Sequence, residues 1–178
     1  LIYADDLVSE FGVDAVRYYF LHEIPFAADG IFSKELLIER INADLVNILG
    51  NLVNRTVSMN KKYFDGIVYE ATIKEDVDQD LISFAKVSVN TYIAKMDEYK
   101  VSEAIEAVMN LARRSNKYID ETMPWALAKE ENKDRLKTVL YNLIETVRIL
   151  GVLLAPVMPE TSKKILDSLS QNNIFNCQ

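Results

Sequence analysis

The sequence predicts an all-α fold, an antiparallel helical bundle. Apolar residues recur at spacings of three and four over several long stretches, which is the period of an amphipathic helix. Only 5 glycines and 4 prolines occur among the 178 residues, too few for the many turns of an all-β fold. Long amphipathic helices joined by short connections are typical of antiparallel bundles.

The first 32 residues are predicted to form two short helices followed by a loop. Asp5 and Asp14 are the candidate N-caps of these helices, and Gly12 separates them. Residues 25–33 form the loop and carry an Asp-Gly turn signal. The residues leave two alternatives open for this loop: a linker between subdomains, or a corner of one bundle.

Five further helices are predicted. The first begins at Ser33, its predicted N-cap, and ends near Gly66, the second spans about 76–99, and the third follows Ser102. The fourth lies beyond a corner at Pro124–Trp125, and Pro159 opens the fifth. The predicted core positions, helix by helix, are Leu37, Ile41, Leu45, Ile48 and Leu52; Leu81, Ala85, Tyr92, Met96 and Tyr99; Ile105, Val108, Ala112 and Ile119; Leu136, Leu140, Leu143, Val147, Leu150 and Leu154; and Ile165, Leu166 and Leu169.

Composition narrows the class of protein. The net charge of −7 argues against a protein that coats nucleic acid nonspecifically, but it allows a local patch that reads a small feature. The single cysteine, Cys177, cannot form an intramolecular disulfide. No apolar run approaches the roughly 18 residues of a membrane span, and no secretory signal is present. We therefore expect a cytoplasmic protein without membrane contact and, because no initiator methionine is present, a piece of a longer chain.

Residues suited to catalysis are few. The lone histidine, His22, has no second histidine or nearby cysteine with which to form a metal site, and is typical of a helix C-terminus. No glycine-rich phosphate loop and no nucleophile in a strand-turn-helix context occurs. The sequence therefore predicts no catalytic residue and no metal site in this chain.

Asparagines are unusually frequent in the first long helix. Each of Asn42, Asn47, Asn51 and Asn54 costs roughly half a kcal/mol against alanine, on the order of 2 kcal/mol together. Asn47, Asn51 and Arg55 follow one another at spacings of four, so they lie on one stripe. Amides and a guanidinium can match base edges and phosphates, which suggests a nucleic-acid surface. Hydrogen bonds between helices that fix the register of the bundle are the alternative.

The only tryptophan, Trp125, stands directly behind Pro124 at a corner between two helices. It either plugs the end of the bundle or forms an exposed platform on which a nucleobase stacks, a contact worth roughly 1–3 kcal/mol. Basic residues surround this corner, which suits single-stranded nucleic acid but is also common on a charged helix face; they are Arg113, Arg114, Lys117 and Lys129.

Several stretches, spread from the N-terminus to about residue 169, resemble the C-terminal helical part of the methionyl-tRNA synthetases: "FGVDAVRYYFLHEIPFAADGIFS", "RINADLVNILGNLVNR", "KYFDG", "NKYIDETMPWALAK" and "LLAPVMPETSKKI". The resemblance implies a class I aminoacyl-tRNA synthetase that uses ATP to join methionine to its tRNA. In that family a helical bundle reads the anticodon CAU, far from the catalytic domain. The implied anticodon-binding residues are Asn51, Arg55 and Trp125, with Asn47, Asp120 and Pro124 shaping the same surface.

The family's ATP-binding signatures, His-Ile-Gly-His and Lys-Met-Ser-Lys-Ser, do not occur in the chain, and no zinc knuckle does. The resemblance therefore implies no cofactor in this piece, ATP in the intact enzyme, and two partners: the methionine-specific tRNA and the protein's own catalytic domain. Residues 1–32 would be the connecting segment and residues 33–178 the anticodon-binding bundle. A helical interaction or scaffold domain, in which the asparagine stripe and the tryptophan corner are purely structural, is the alternative.

Overall fold

The computed structural model describes residues 3–24, 30 and 32–170, and within these ranges it contains helices and no strand, which confirms the all-α prediction. The helices are α1 Ala4–Phe11, α2 Val13–Glu23, α3 Lys34–Arg40, a π-helical segment Ile41–Gly50, α4 Asn51–Phe64, α5 Asp76–Asp97, α6 Val101–Thr122, α7 Pro124–Lys129, α8 Lys133–Leu154 and α9 Pro159–Ser170. In the described part of the chain, no helix is both long and apolar enough to cross a membrane.

The first long helix differs from its prediction because it is not α-helical throughout. Ser33 caps it as expected, its hydroxyl accepting a hydrogen bond from the Leu36 amide at 3.1 Å. The π-helical segment then widens the turns, so that Asp44 and Leu49 become buried while the predicted core residues of that stretch are only partly buried. A Cβ atom on Gly50 would lie 2.9 Å from the Leu45 carbonyl oxygen, so the π turn requires glycine there.

Two apolar clusters hold the fold together. The smaller one joins α1, α2 and α3 through Leu7, Val16, Tyr19 and Leu37. The larger one contains the predicted apolar faces of α6 and α8, every member of which is buried as expected. Tyr99 was predicted to lie on the core face of the second long helix, and this is wrong: its φ of 59° places it in the turn after α5, with 73% of its surface exposed.

The N-terminal helices are fastened to the C-terminal end of the bundle by polar contacts. The Arg17 guanidinium donates to the Val157 carbonyl at 2.9 Å and to the Pro156 carbonyl at 2.7 Å. The predicted caps are wrong, since Asp5 and Asp14 lie in the first turns, behind Tyr3 and Gly12 at the cap positions. A carboxylate oxygen of Asp14 instead accepts from a backbone amide in the first turn of α9.

Gly12 separates α1 from α2, as predicted, with a φ of 83° that a residue with a side chain rarely adopts. The end of α4 near Gly66 is also confirmed, because Asp65 and Gly66 both have positive φ values, of 50° and 81°. Most of the predicted loop at 25–33, and Cys177, lie outside the described residues.

Candidate nucleic-acid interface

Asn47 and Asn51 lie where the π-helical segment passes into α4, and both are exposed. They line a shallow concavity of about 670 Å³ together with Gly50 and Asn54. No hydrogen bond is recorded for the side chain of Asn47 or Asn51 within residues 3–24, 30 and 32–170. The two amides are therefore available to a ligand, and they do not fix the register between helices.

Arg55 and Asp120 meet across α4 and α6, although they are 65 residues apart in the chain. A guanidinium nitrogen of Arg55 lies 3.1 Å from a carboxylate oxygen of Asp120, with 29% and 68% of the two side chains exposed. Exposed pairs of this kind contribute about 0–1 kcal/mol to stability. The structure thus brings together two of the residues implied by the resemblance, through a contact that can be exchanged at low cost.

A side chain that the sequence reasoning missed, Asn116, holds α6 against the π-helical segment. Its amide nitrogen donates to the Ile48 carbonyl at 3.1 Å. This contact lies one helical turn before Asp120 on α6, so it helps to set where Asp120 meets Arg55. An asparagine inside a predicted amphipathic helix was the only signal in the sequence, and it did not identify the partner.

The tryptophan corner follows directly from the end of α6. Met123 ends that helix with a left-handed φ of 45°, and Pro124 is buried at the first position of α7, where its missing amide proton is not needed. Trp125 follows with 47% of its surface exposed. Among the residues the structure describes, the indole has no recorded ring stacking, cation–π contact or hydrogen bond. Its role as a platform stays a prediction.

A buried polar network supports the last turns of α6. The Arg135 guanidinium reaches both carboxylate oxygens of Asp78, at 2.6 and 3.1 Å, and the Tyr118 hydroxyl donates to the same carboxylate. Asn142 donates to the Tyr118 hydroxyl at 3.2 Å. Burial alone would raise the pKa of Asp78, but the hydrogen bonds from Arg135 and Tyr118 outweigh it and hold this pKa below its usual range.

Acidic neighbours pair with three of the predicted basic residues. Arg113 lies 2.7 Å from Glu106, Arg114 lies 3.0 Å from Glu121, and Lys117 lies 3.6 Å from Glu121. Lys129, in the last turn of α7, has no ion-pair partner in the described ranges. The positive potential at the corner is accordingly weaker than the sequence suggested.

His22 lies in the last turn of α2, as predicted. Its two ring nitrogens each lie 2.9 Å from a carboxylate, those of Glu23 and Glu106, and its ring stacks on Tyr18. No group of three metal-ligating side chains with a suitable arrangement occurs within the described part of the chain.

Comparison with known proteins gives the context for this surface. A family model described as class I tRNA synthetases (M) matches residues 1–57. A second, described as the anticodon binding domain of methionyl tRNA ligase, matches residues 68–175. The chain is 52% identical to a methionine–tRNA ligase of Caldanaerobacter subterraneus subsp. tengcongensis over 92% of its own length and 26% of that protein. It is 45% identical to the Bacillus subtilis methionine–tRNA ligase over 92% of its own length and 25% of that protein.

A solved structure of the same family has the same fold as this chain. The chain superposes on Mycobacterium tuberculosis methionyl-tRNA synthetase in complex with methionyl-adenylate with a TM-score of 0.89 and 39% identity, covering 93% of this chain and 33% of that one. The fold is thus that of a class I aminoacyl-tRNA synthetase module. The chain belongs to the methionyl-tRNA ligase family and carries its anticodon-binding domain. It spans about a quarter of the length of the curated relatives cited above.

Proposed function

We propose that this domain reads the CAU anticodon of the methionine-specific tRNA for a methionine–tRNA ligase that acts in the cytoplasm. One observation carries the proposal: exposed amides that make no hydrogen bond among the described residues lie beside a guanidinium whose surface ion pair can be replaced by a ligand. Asn47 and Asn51 offer paired donors and acceptors to a base edge. Arg55 lies one turn further along, and among the described residues its side chain pairs with Asp120 alone. The membership of the chain in the ligase family supports this assignment against a helical scaffold domain.

Unstacked anticodon bases are recognised through stacking and hydrogen bonds to their edges, which agrees with an acidic domain. Trp125, at 47% exposure, supplies a stacking face, and Pro124 fixes the start of the short helix that carries it. Asp120 would hold the Arg55 guanidinium in place until a base or phosphate replaces it. The roles of Trp125 and Asp120 need side chains that a ligand can reach, and 47% of Trp125 and 68% of the Asp120 side chain are exposed.

The aminoacylation chemistry is proposed for another part of the ligase. The chain contains neither ATP-binding signature of the family, so we assign no step of ATP or methionine activation to its residues. We retain the division into a connecting segment, residues 1–32, and a bundle, residues 33–178, as part of the proposal.

The single tryptophan allows a direct test, because fluorescence of the chain at long excitation wavelengths reports on Trp125 alone. Titration with a short RNA stem-loop that carries the anticodon CAU in its loop should quench this emission. A stem-loop that carries the reversed sequence UAC should bind more weakly. Equal binding of the two loops would refute the methionine-specific part of the proposal. Absence of binding by either loop would refute anticodon reading by this domain.

A further inference from the structure

A residue outside the implied anticodon set shares the concavity of Asn47 and Asn51. Asn54 lies one turn beyond Asn51 on α4, it is exposed, and its side chain lines the same concavity of about 670 Å³. The concavity also includes Gly50, which directly precedes Asn51. Three carboxamides, those of Asn47, Asn51 and Asn54, therefore line one concavity beside Gly50.

Gly50 gives this concavity an unusual floor. Because a Cβ atom there would lie 2.9 Å from the Leu45 carbonyl oxygen, the π turn excludes any larger residue unless the backbone shifts. Gly50 is exposed and carries no side chain, so a ligand can approach its backbone more closely than it could at a larger residue.

A neighbouring hydroxyl restrains the Asn54 side chain. The Ser58 hydroxyl, one turn further along α4, donates to the Asn54 side-chain oxygen at 3.3 Å. With its oxygen engaged, the amide has its two N–H groups left to donate. Asn47 and Asn51, by contrast, have no such bond in the described residues and can rotate to present either end.

We propose that Asn54 is a further specificity-determining residue of this domain, donating from its amide to an acceptor atom on the edge of one anticodon base that lies over Gly50. This inference rests on the proposed function and adds one amide donor to it. Ser58 acts as a positioning residue, because its hydrogen bond restrains the rotation of the Asn54 side chain.

The test compares the chain with its Asn54→Ala, Ser58→Ala and Asn42→Ala variants. Asn42 is an exposed asparagine of the same long helix outside the concavity, so its variant is the matched control. Affinities are measured by anisotropy of labelled stem-loops carrying CAU and the nine single-base changes of that anticodon. Thermal unfolding of each variant, followed by circular dichroism, identifies any change that acts through folding.

Asn54→Ala should weaken CAU binding about two- to twelve-fold, the equivalent of one hydrogen bond, and should reduce discrimination at one anticodon position only. Ser58→Ala should reduce discrimination at the same position by a smaller factor, and Asn42→Ala should bind all loops as the parent does. An Asn54→Ala variant that keeps the parent's discrimination at every position, or loses affinity equally for every loop, would overturn the inference. If the parent chain still preferred the CAU loop to the changed loops, the proposed function would remain intact. A parent chain without that preference would overturn both the inference and the proposed function.

Discussion

Among the arginine–aspartate pairs that join helices of this bundle, two differ clearly in burial. Arg135 and Asp78 have 4% and 1% of their side chains exposed and share two hydrogen bonds. Arg55 and Asp120 are 29% and 68% exposed and share one contact of 3.1 Å. The same chemistry therefore holds α8 against the start of α5 in one place, and leaves a cation available on the surface in the other.

The buried pair is expected to produce the largest effect when it is broken. Arg135→Met leaves the Asp78 carboxylate buried without its cation, so the free energy of unfolding should fall by about 3–5 kcal/mol. Urea denaturation followed by circular dichroism measures it. Replacing both partners, as Arg135→Met with Asp78→Leu, should recover only part of the loss, because it removes the unpaired charge but leaves the Tyr118 hydroxyl and the Glu75 amide without their acceptor. A single-variant loss under about 1 kcal/mol would show that the network does not stabilise the fold.

Acid should weaken the same network more gradually. The pKa of Asp78 lies below its usual range in the folded state. The contribution of Asp78 to stability is therefore fully present above its unfolded-state pKa of about 3.9, and it is lost as the pH falls through its folded-state pKa. Glu106 is shifted in the same direction, because hydrogen bonds from His22 and Arg113 outweigh its burial. Urea denaturation between pH 5 and pH 2 should show a falling free energy of unfolding, with a shallower slope for Asp78→Asn. An unchanged slope in that variant would contradict the role of Asp78.

The exposed pair should produce the smallest effect on folding. Arg55→Ala should change the free energy of unfolding by less than about 1 kcal/mol, yet weaken CAU stem-loop binding by about 1.5–3 kcal/mol. In the full-length ligase it should leave methionine activation without tRNA unchanged. Arg148→Ala, which removes an exposed arginine paired with Glu145 on α8, is the matched control and should bind RNA as the parent does. Equal loss of binding in the two variants would show that only net charge matters.

The sequence predicted the helices better than the contacts between them. Apolar spacing located the faces of α6 and α8, because a buried stripe needs only local periodicity. The π-helical segment was missed because widening a helix from α to π changes the hydrogen-bond register without changing composition. Tyr99 matched the spacing of α5 but follows its end, where the backbone turns.

For the candidate nucleic-acid interface, too, the sequence predicted positions along one helix but not contacts between helices. Spacing could place Asn47, Asn51 and Arg55 on one stripe, but only family resemblance associated them with Asp120 and Trp125, which lie on distant parts of the chain. The Arg55–Asp120 contact and the Asn116 bond depend on how α6 crosses α4 and the π-helical segment before it. Local patterns carry no information about that crossing.

Trp125 tests the central claim, that the exposed polar surface serves recognition and the buried network serves folding. Trp125→Ala and Trp125→Phe are compared with the parent in urea denaturation followed by circular dichroism and in titration of a labelled CAU stem-loop. Because 47% of the surface of Trp125 is exposed, its truncation should cost less stability than the roughly 3–5 kcal/mol expected for a fully buried aromatic side chain. Binding should fall by roughly 1–3 kcal/mol, with part retained by phenylalanine. If truncation instead destabilised the fold by roughly 3–5 kcal/mol and left binding by the folded fraction unchanged, the indole would be a plug of the bundle and the claim would be wrong.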